Sequence, residues 1–306
     1  MKKVKFITGN KGSAIVAFAA ALLVIVGFIS LTVDIGLAIN EKARVANATD
    51  SAALAGAQEL PDNVENAVNV AKEYAVKNGM DPNSVVVEIL EEGHAISVSS
   101  KKEVAYFFAR ALGIDKGEVN AKAVAKVLPV SGVLSGVRPF AIESQNLSFG
   151  EQYMLKEGGG DGSSGNYGAL SLGGMGASNY WYNIVNGYEG ELRVGDYIST
   201  EPGNMSGPTE SGINTLIREC NHCPECTFDK YEPDCARIVT VVIVDSLDVN
   251  GREDVKIVGF ASFFLEGVAG SGNESIVTGR FIRTMTQGEL SEGQKDYGLR
   301  GIKLVN

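Results

Sequence analysis

The sequence predicts an α+β protein that begins with a single transmembrane helix. This helix is expected to continue into a long outer helix, followed by a small α/β subdomain and a mainly β C-terminal region. Three observations support this order: an uncharged apolar run from Gly12 to Val33, an alanine-rich helical stretch that ends at Pro61, and glycine-rich, turn-rich sequence after Pro129. The predicted domains are a basic flank at residues 1–12, the transmembrane helix at 13–34, the long helix with the small α/β subdomain at 35–130, and the glycine-rich, mainly β domain at 131–306.

The apolar run is long enough to cross a bilayer, because about 20 residues at about 1.5 Å each cover the roughly 30 Å hydrocarbon core. Asp34 ends the run. The run is preceded by four lysines, Lys2, Lys3, Lys5 and Lys11. Lysine-rich flanks stay in the cytoplasm, so the bulk of the chain is expected to be extracytoplasmic. A cleaved signal peptide is the alternative, but its apolar region is usually only about 7 to 15 residues long.

The helical pattern continues beyond Asp34 without a proline until Pro61, which predicts one helix from Ser13 to Glu59. Small residues recur at every fourth position at Ser13, Ala17 and Ala21. This spacing permits close helix contact in a membrane and would allow oligomerisation.

The charge of the chain argues against nucleic acid as a partner. The first eleven residues contain four lysines and no acidic residue, which leaves 23 basic against 37 acidic residues in the remainder, a formal charge of −14. Such a surface cannot bind phosphate backbones by releasing counterions.

The small subdomain shows an alternation of helical and strand periods that predicts an α-β-β-α-β order. A helix is predicted around Val64–Ala75, strands at Val85–Leu90 and Ala95–Val98, a second helix at Val104–Leu112, and a strand at Val119–Val127. We expect a small sheet with helices on one face.

The C-terminal region is predicted to be mainly β. Its strands are expected at Arg237–Val244, Val255–Leu265, Ile276–Ile282 and Leu299–Leu304. Four aromatic residues, Tyr180, Trp181, Tyr182 and Tyr188, lie among its glycines. They offer either a partner-binding face or core filling between short strands.

All four cysteines of the chain lie within sixteen residues, at Cys220, Cys223, Cys226 and Cys235. Outside the membrane the default is disulfide bonds, with three pairings available. A zinc site with four thiolate ligands is the second interpretation, since Cys-x-x-Cys spacing lets two thiolates bind one ion. An iron–sulfur cluster is the third, although Cys235 is not followed by proline. Each of the three would act first as a structural cross-link and only second as an active site.

The N-terminal stretch resembles the Tad (Flp) pilus-assembly proteins of the TadE/TadG type. The residues that carry the resemblance are Lys11-Gly12-Ser13-Ala14, Val33-Asp34-Ile35-Gly36 and the alanine-rich run from Val45 to Ala57. The Phe107-Phe108-Ala109-Arg110 run is also similar to the segment after that helix in TadG-like proteins. Ala17 stands where the processed pseudopilins have glutamate, so the resemblance implies the uncleaved TadG kind. It implies a structural role in pilus assembly, with other pilus-assembly or envelope proteins as partners.

Catalysis finds no support in the sequence. The only histidines are His94, in a strand-joining turn, and His222, inside the cysteine cluster, and no phosphate-binding loop is present. We therefore expect a protein that is not an enzyme and has no cofactor, with a structural zinc as the alternative. It is expected in the cell membrane as a single-pass protein, with an extracytoplasmic binding or redox/metal module at the cysteine cluster as the rival function.

Overall fold

The computed structural model describes residues 11–156, 168–203, 205–222, 224–249, 251–269 and 275–305. The chain divides into two compact units. The first comprises Met1–Lys126 with Leu304–Asn306, and the second comprises Val127–Lys303. The division falls inside a strand, a few residues before the boundary at residue 130 that the composition predicts.

The first unit is built from two helices and an antiparallel sheet. Its elements are α1 (Lys11–Ala57), α2 (Val64–Lys77), β1 (Val86–Leu90), β2 (Ala95–Ala105) and β3 (Lys116–Val133), of which the end of β3 belongs to the second unit. The sheet order is β1-β2-β3, with Val98 opposite Val87 on one side and Ala123 on the other. Asn63 caps α2, because its side chain accepts the backbone N–H of Asn66 at 3.1 Å.

Helix α1 confirms the predicted continuous helix and changes character along its length. Up to Val33 its large apolar side chains are exposed, with Leu23 at 73% and Phe18 at 71% exposure. Toward its C-terminal end the helix buries one face, which includes Val45, Ala48 and Ala52. The helix is long and apolar enough to cross a membrane by length and composition.

The core of the first unit is made of small side chains. On α2 the buried residues are Ala67, Ala71 and Ala75, four positions apart and therefore on one face. They face the alanine-rich stretch of α1, where Gly56 has no side chain to hold the helices apart. Ile96 of β2 reaches the same point, so two helices and the sheet meet at Gly56.

The helix predicted at Val104–Leu112 is wrong. Strand β2 continues through Ala105, opposite Lys116, and only a short 3-10 turn forms at Ala109–Leu112. Gly113 ends this turn with a φ of 83°, a conformation that glycine adopts without steric cost. The apolar aromatic run suggested a buried helical face, but cross-strand hydrogen bonds satisfy its first residues, and the Phe107 and Phe108 rings stay exposed.

Within its described residues, the second unit contains two sheets and two helices. After β3 its elements are β4 (Val137–Glu143), β5 (Gln152–Lys156), α3 (Ala177–Asn186), β6 (Leu192–Arg193), β7 (Tyr197–Ser199), α4 (Ser206–Glu219), β8 (Ile238–Val244), β9 (Asp254–Ala269), β10 (Ile276–Ile282), β11 (Thr284–Met285), β12 (Glu289–Leu290) and β13 (Leu299–Val305), whose last two residues belong to the first unit. The main sheet has the order β4-β8-β9-β10-β5, with β7 also paired to β9. Only β4 and β8 run parallel among the described pairs of this sheet.

The main sheet is buried on both faces. On one face α3 and α4 pack with Tyr180, Ile184 and Ile213 against Phe263 and Phe281. On the other face the end of β3 with its partners β6 and β12 covers Val242, Val244 and Phe260. The strand runs of this sheet therefore read as continuously apolar rather than alternating.

The overall α+β class is confirmed, and each of the four predicted C-terminal strands is present with small shifts at the ends. The prediction of a mainly β region missed α3 and α4. Both lie in glycine-rich sequence, which favoured loops over helices at the sequence level.

Candidate functional site

The cysteine cluster lies in the connection from α4 to β8. Cys220 directly follows α4, and its backbone N–H bonds the Ile217 carbonyl at 3.3 Å. Cys235 lies three residues before the first residue of β8, and its carbonyl accepts the N–H of Ile238 at 2.9 Å. A small turn, in which Thr227 and Lys230 exchange backbone hydrogen bonds, brings Cys226 back between them. The cluster therefore joins the end of a helix to the start of a central strand.

Three sulfur atoms and one imidazole nitrogen converge on one point. Cys220 Sγ lies 3.4 Å from Cys235 Sγ and 3.8 Å from His222 Nδ1. Cys226 Sγ lies 3.4 Å from the same His222 nitrogen. All four atoms are within 4.8 Å of one another. Cys226 and Cys235 are buried, while Cys220 and His222 are half-buried.

A carboxylate lies on the far side of His222. The Nε2 atom of His222 is 3.2 Å from Asp234 Oδ1. The hydrogen bond with Cys220, assisted by the negative charge of Asp234, raises the pKa of His222 although burial opposes it. The carboxylate leaves Nδ1 as the nitrogen that faces the sulfur atoms.

Backbone N–H groups point at each described sulfur atom. The N–H groups of Cys226 and His222 bond the Cys220 sulfur, that of Glu232 bonds Cys226 Sγ at 3.5 Å, and that of Arg237 bonds the Cys235 sulfur. Burial raises the pKa of Cys220, but these bonds and the His222 side chain outweigh it and lower the pKa to about 6. Burial raises the pKa of Cys235 to about 12.

The cluster is packed on the main sheet by apolar and ionic contacts. Cys226 and Cys235 form a small buried cluster with Phe264 and Ile282. The Arg237 guanidinium lies over the Phe264 ring at 4.6 Å and donates to the Leu265 carbonyl at 2.8 Å. It also bonds the Cys226 carbonyl at 3.2 Å, which fixes the turn that carries this cysteine.

The arrangement changes the sequence-based picture of the cluster. Cys220, Cys226 and Cys235 are free thiols, and no two of these three described sulfurs are at the roughly 2.0 Å of a disulfide. Cys223 lies outside the described residues. The donor set that the structure assembles includes His222, which spacing alone did not single out as a ligand. The fold also brings Asp234 beside His222, on the far side of its ring from the sulfur atoms.

The four aromatic residues, for which the sequence left open a partner-binding face or core filling, do not share one surface. Tyr180 is 1% exposed and belongs to the core, where its ring meets that of Phe140 edge-on. Tyr188 is half-buried against the second core cluster. Trp181 and Tyr182 are exposed, with Trp181 Nε1 donating to Ser211 and the Tyr182 hydroxyl donating to Glu189. The core-filling interpretation therefore describes Tyr180, and only Trp181 and Tyr182 are available for contacts.

A second polar site lies where α1 leaves its exposed apolar stretch. Asp34 is 3% exposed and accepts three backbone N–H groups, from Phe107 at 2.8 Å, Phe108 at 3.0 Å and Ala109 at 2.7 Å. These are the free N–H groups at the start of the turn between β2 and β3, a position that favours a carboxylate. Asp34 therefore fastens the tip of this hairpin to α1.

These features define an α+β protein with one N-terminal helix able to cross a membrane and a closed cysteine–histidine cluster in its larger unit. Residues 12–59 match the family model described as putative Flp pilus-assembly TadE/G-like, and residues 40–125 match the model described as putative Tad-like Flp pilus-assembly. The resemblance of the N-terminal region to Tad-type Flp pilus-assembly proteins is therefore confirmed over residues 12–125. No curated protein and no solved structure matches the chain.

The matched region contains the whole of α1 beyond its first residue, and Asp34 with its hairpin tip. The cysteine cluster lies outside both matches. The matched families are assembly families rather than enzymes, and they imply association with other pilus-assembly components.

Proposed function

We propose that this protein is a noncatalytic structural protein of pilus assembly or of the cell envelope, held by α1 in the cell membrane with the chain beyond Asp34 on the extracytoplasmic side. The observation that carries the proposal is the coincidence at Asp34 of three features. The apolar run ends there, the hairpin tip is fastened there, and the family match spans that point.

The contacts of Asp34 support the proposal that the membrane boundary lies near this residue of α1. They hold Phe107 and Phe108 beside the end of the apolar run, with 72% and 46% of these side chains exposed. An apolar groove beside them is lined by Leu31, Ile35 and Ile39 of α1 and by Ile114 of the hairpin. Exposed apolar side chains are costly in water but suit a membrane boundary.

The charge distribution supports the orientation. Basic residues precede the span, while the remainder of the chain carries a net charge of −14. Basic flanks are retained in the cytoplasm, so the acidic chain that follows the span is expected on the other side. Other pilus-assembly or envelope proteins are the partners this placement makes available.

Deletion of the gene in the host, followed by pilus counting in the electron microscope, tests the assembly role. Pili should be lost and should return with the wild-type gene. They should not return with Leu23→Arg plus Val26→Arg, because each arginine at a helix centre costs about 2.5 to 3.5 kcal/mol on insertion. The apolar control, Leu23→Ile plus Val26→Leu, should restore them. An unchanged pilus number after deletion would contradict the assembly role.

A second candidate function is an extracytoplasmic binding or redox/metal module, which the convergence of Cys220, His222, Cys226 and Cys235 favours. A binding or redox role needs an open coordination position or a reactive thiol pair. The cluster instead joins two structural elements of the second unit, so we assign it a stabilising role within the structural protein.

A further inference from the structure

We propose that Cys220, His222, Cys226 and Cys235 bind a single Zn²⁺ ion, and that this ion is a structural component of the second unit. The inference is independent of the membrane anchor and of the pilus-assembly role. Three thiolates and one imidazole are ligands that zinc prefers, and a set of four protein ligands is typical of closed structural sites.

The distances between the ligand atoms fit a tetrahedral zinc ion. Donors at about 2.0 to 2.3 Å from zinc, at tetrahedral angles, lie about 3.5 to 3.8 Å from one another. The three measured edges are 3.4 Å for Cys220 Sγ to Cys235 Sγ, 3.4 Å for Cys226 Sγ to His222 Nδ1, and 3.8 Å for Cys220 Sγ to His222 Nδ1. The remaining edges are no longer than 4.8 Å. A metal ion accounts for all four atoms at once, whereas a disulfide would account for one pair and leave His222 unexplained.

The surroundings of the ligands suit thiolates bound to a cation. Each described sulfur accepts at least one backbone N–H group, an arrangement that suits a metal-bound thiolate. Metal-bound histidines commonly donate their second ring nitrogen to a carboxylate, which fixes the tautomer and the ring orientation. Asp234 Oδ1 at 3.2 Å from His222 Nε2 holds this position, so Asp234 is a positioning residue rather than a ligand.

The ion would tie the end of α4 to the start of β8. Cys220 is the residue after α4, Cys235 lies three residues before Ile238, and the loop between them contributes the other two ligands. Four protein ligands leave no coordination position for water or substrate, so the ion stabilises the fold and does not catalyse. Because the ion binds the folded state alone, it should raise thermal stability by mass action.

The test uses the full-length chain, purified in detergent under reducing conditions without chelator, incubated with equimolar ZnCl₂ and desalted. Zinc is measured by elemental mass spectrometry. The samples are the wild type and the variants Cys226→Ser, His222→Ala, Cys223→Ser and Asp234→Asn. We expect one zinc per chain in the wild type and in Cys223→Ser, and its loss from Cys226→Ser and His222→Ala. Asp234→Asn should retain the ion with an affinity about 10- to 100-fold weaker in competition with a chelator.

Circular dichroism and melting of the same samples separate loss of metal from loss of fold. Chelation should lower the Tm of the wild type and of Cys223→Ser, and ZnCl₂ should restore it, while the Tm of folded Cys226→Ser should not respond. If Cys226→Ser does not fold, the reversible response of the wild type and the weakened affinity of Asp234→Asn still decide the question.

Three results would overturn the proposal. The first is a wild-type chain that takes up no zinc although its thiols are reduced. The second is zinc retained by His222→Ala but lost from Cys223→Ser, which would indicate a four-thiolate site. The third is visible absorption with stoichiometric iron, which would indicate an iron–sulfur cluster.

Discussion

The first unit buries alanines where the second buries aromatic rings. In the first, α1 and α2 meet through residues such as Ala52 and Ala71. In the second, α3 and the main sheet meet through Phe140, Tyr180 and Phe263. Burying a large apolar side chain contributes about 1.5 to 3 kcal/mol, and an alanine contributes far less.

The two units are therefore stabilised by different kinds of contact. In the first unit the helix backbones approach each other closely. Polar contacts, such as those of Asp34 with the hairpin tip, provide the specificity that large buried side chains do not supply there. Apolar volume stabilises the second unit, and the cysteine–histidine cluster fixes one connection within it. Enlarging a side chain should damage the first unit, and truncating one should damage the second.

The largest effect is expected from Phe263→Ala in the second unit. Phe263 is fully buried, and its ring meets that of Phe281 at 5.0 Å and 74°. Its removal should lower the free energy of unfolding by about 3 to 5 kcal/mol, from lost burial plus the cavity. Phe107→Ala is the control, because Phe107 is 72% exposed. Equal losses in denaturant unfolding of the two variants would contradict this picture of the second core.

Gly56→Ala should break the first unit by enlargement. A Cβ at this position would lie 2.7 Å from Ile96 Cδ1, 2.8 Å from the Ala67 carbonyl oxygen and 2.9 Å from Ala71 Cβ. The carbonyl belongs to the backbone and cannot move aside, so we expect a loss of about 1 to 3 kcal/mol in the free energy of unfolding.

Gly36→Ala is the matched control on the same helix, since nothing lies within 4 Å of the added atom. The substitution should stabilise the helix slightly, because alanine has the higher helix propensity. A Gly56→Ala protein as stable as Gly36→Ala would show that the two helices are not in close contact there.

Asp34→Asn should loosen the hairpin tip without unfolding the unit. The carboxylate accepts three N–H groups through two oxygens, and asparagine would turn an N–H₂ group toward some of these donors. Hydrogen–deuterium exchange of residues 107–109 should accelerate by about tenfold or more, while that of α2 should be unchanged. Unchanged protection of these amides would rule out Asp34 as the fastening point.

The smallest effect is expected from the ion pair of Glu41 with Lys102, whose atoms Oε2 and Nζ are 2.7 Å apart. The hydrogen bond from Lys102 holds the pKa of Glu41 below its usual value near 4.5. The stabilisation is therefore complete above that value and is lost as the pH falls through the lowered pKa. Glu41→Gln should cost less than about 1 kcal/mol at pH 7 and should remove this contribution to the pH dependence between about pH 6 and 3. Identical pH profiles of stability for variant and wild type would contradict it.

The periodicity of apolar residues was sufficient to predict an element where that element buries a regular pattern of side chains. Helix α1, its end near Pro61, and the four apolar strands of the second unit follow directly from such patterns. Two helices were missed although a signal existed. Tyr180, Asn183 and Ile184 of α3 recur at helical spacing, as do Thr209, Gly212 and Ile213 of α4, but surrounding glycines concealed both.

Contacts between distant residues could not be predicted. The aromatic run after Val104 was assigned to a helix because its partner Asp34 is more than seventy residues away. The cysteine spacing predicted a staple, yet the placement of His222 Nδ1 among the sulfurs depends on the path of the loop, and Asp234 reaches His222 only after the turn at Thr227 closes.

The central claim is that α1 spans the membrane and that the chain beyond Asp34 lies outside it. The direct measurement is labelling of Asn63→Cys and, separately, of Lys2→Cys with a membrane-impermeant thiol reagent on cells whose outer layer is permeabilised. Labelled peptides are identified by mass spectrometry, so that native cysteines do not interfere. We expect modification at position 63, and protection at position 2 until the inner membrane is dissolved with detergent. Protection at position 63, or modification at position 2 in intact membranes, would contradict it.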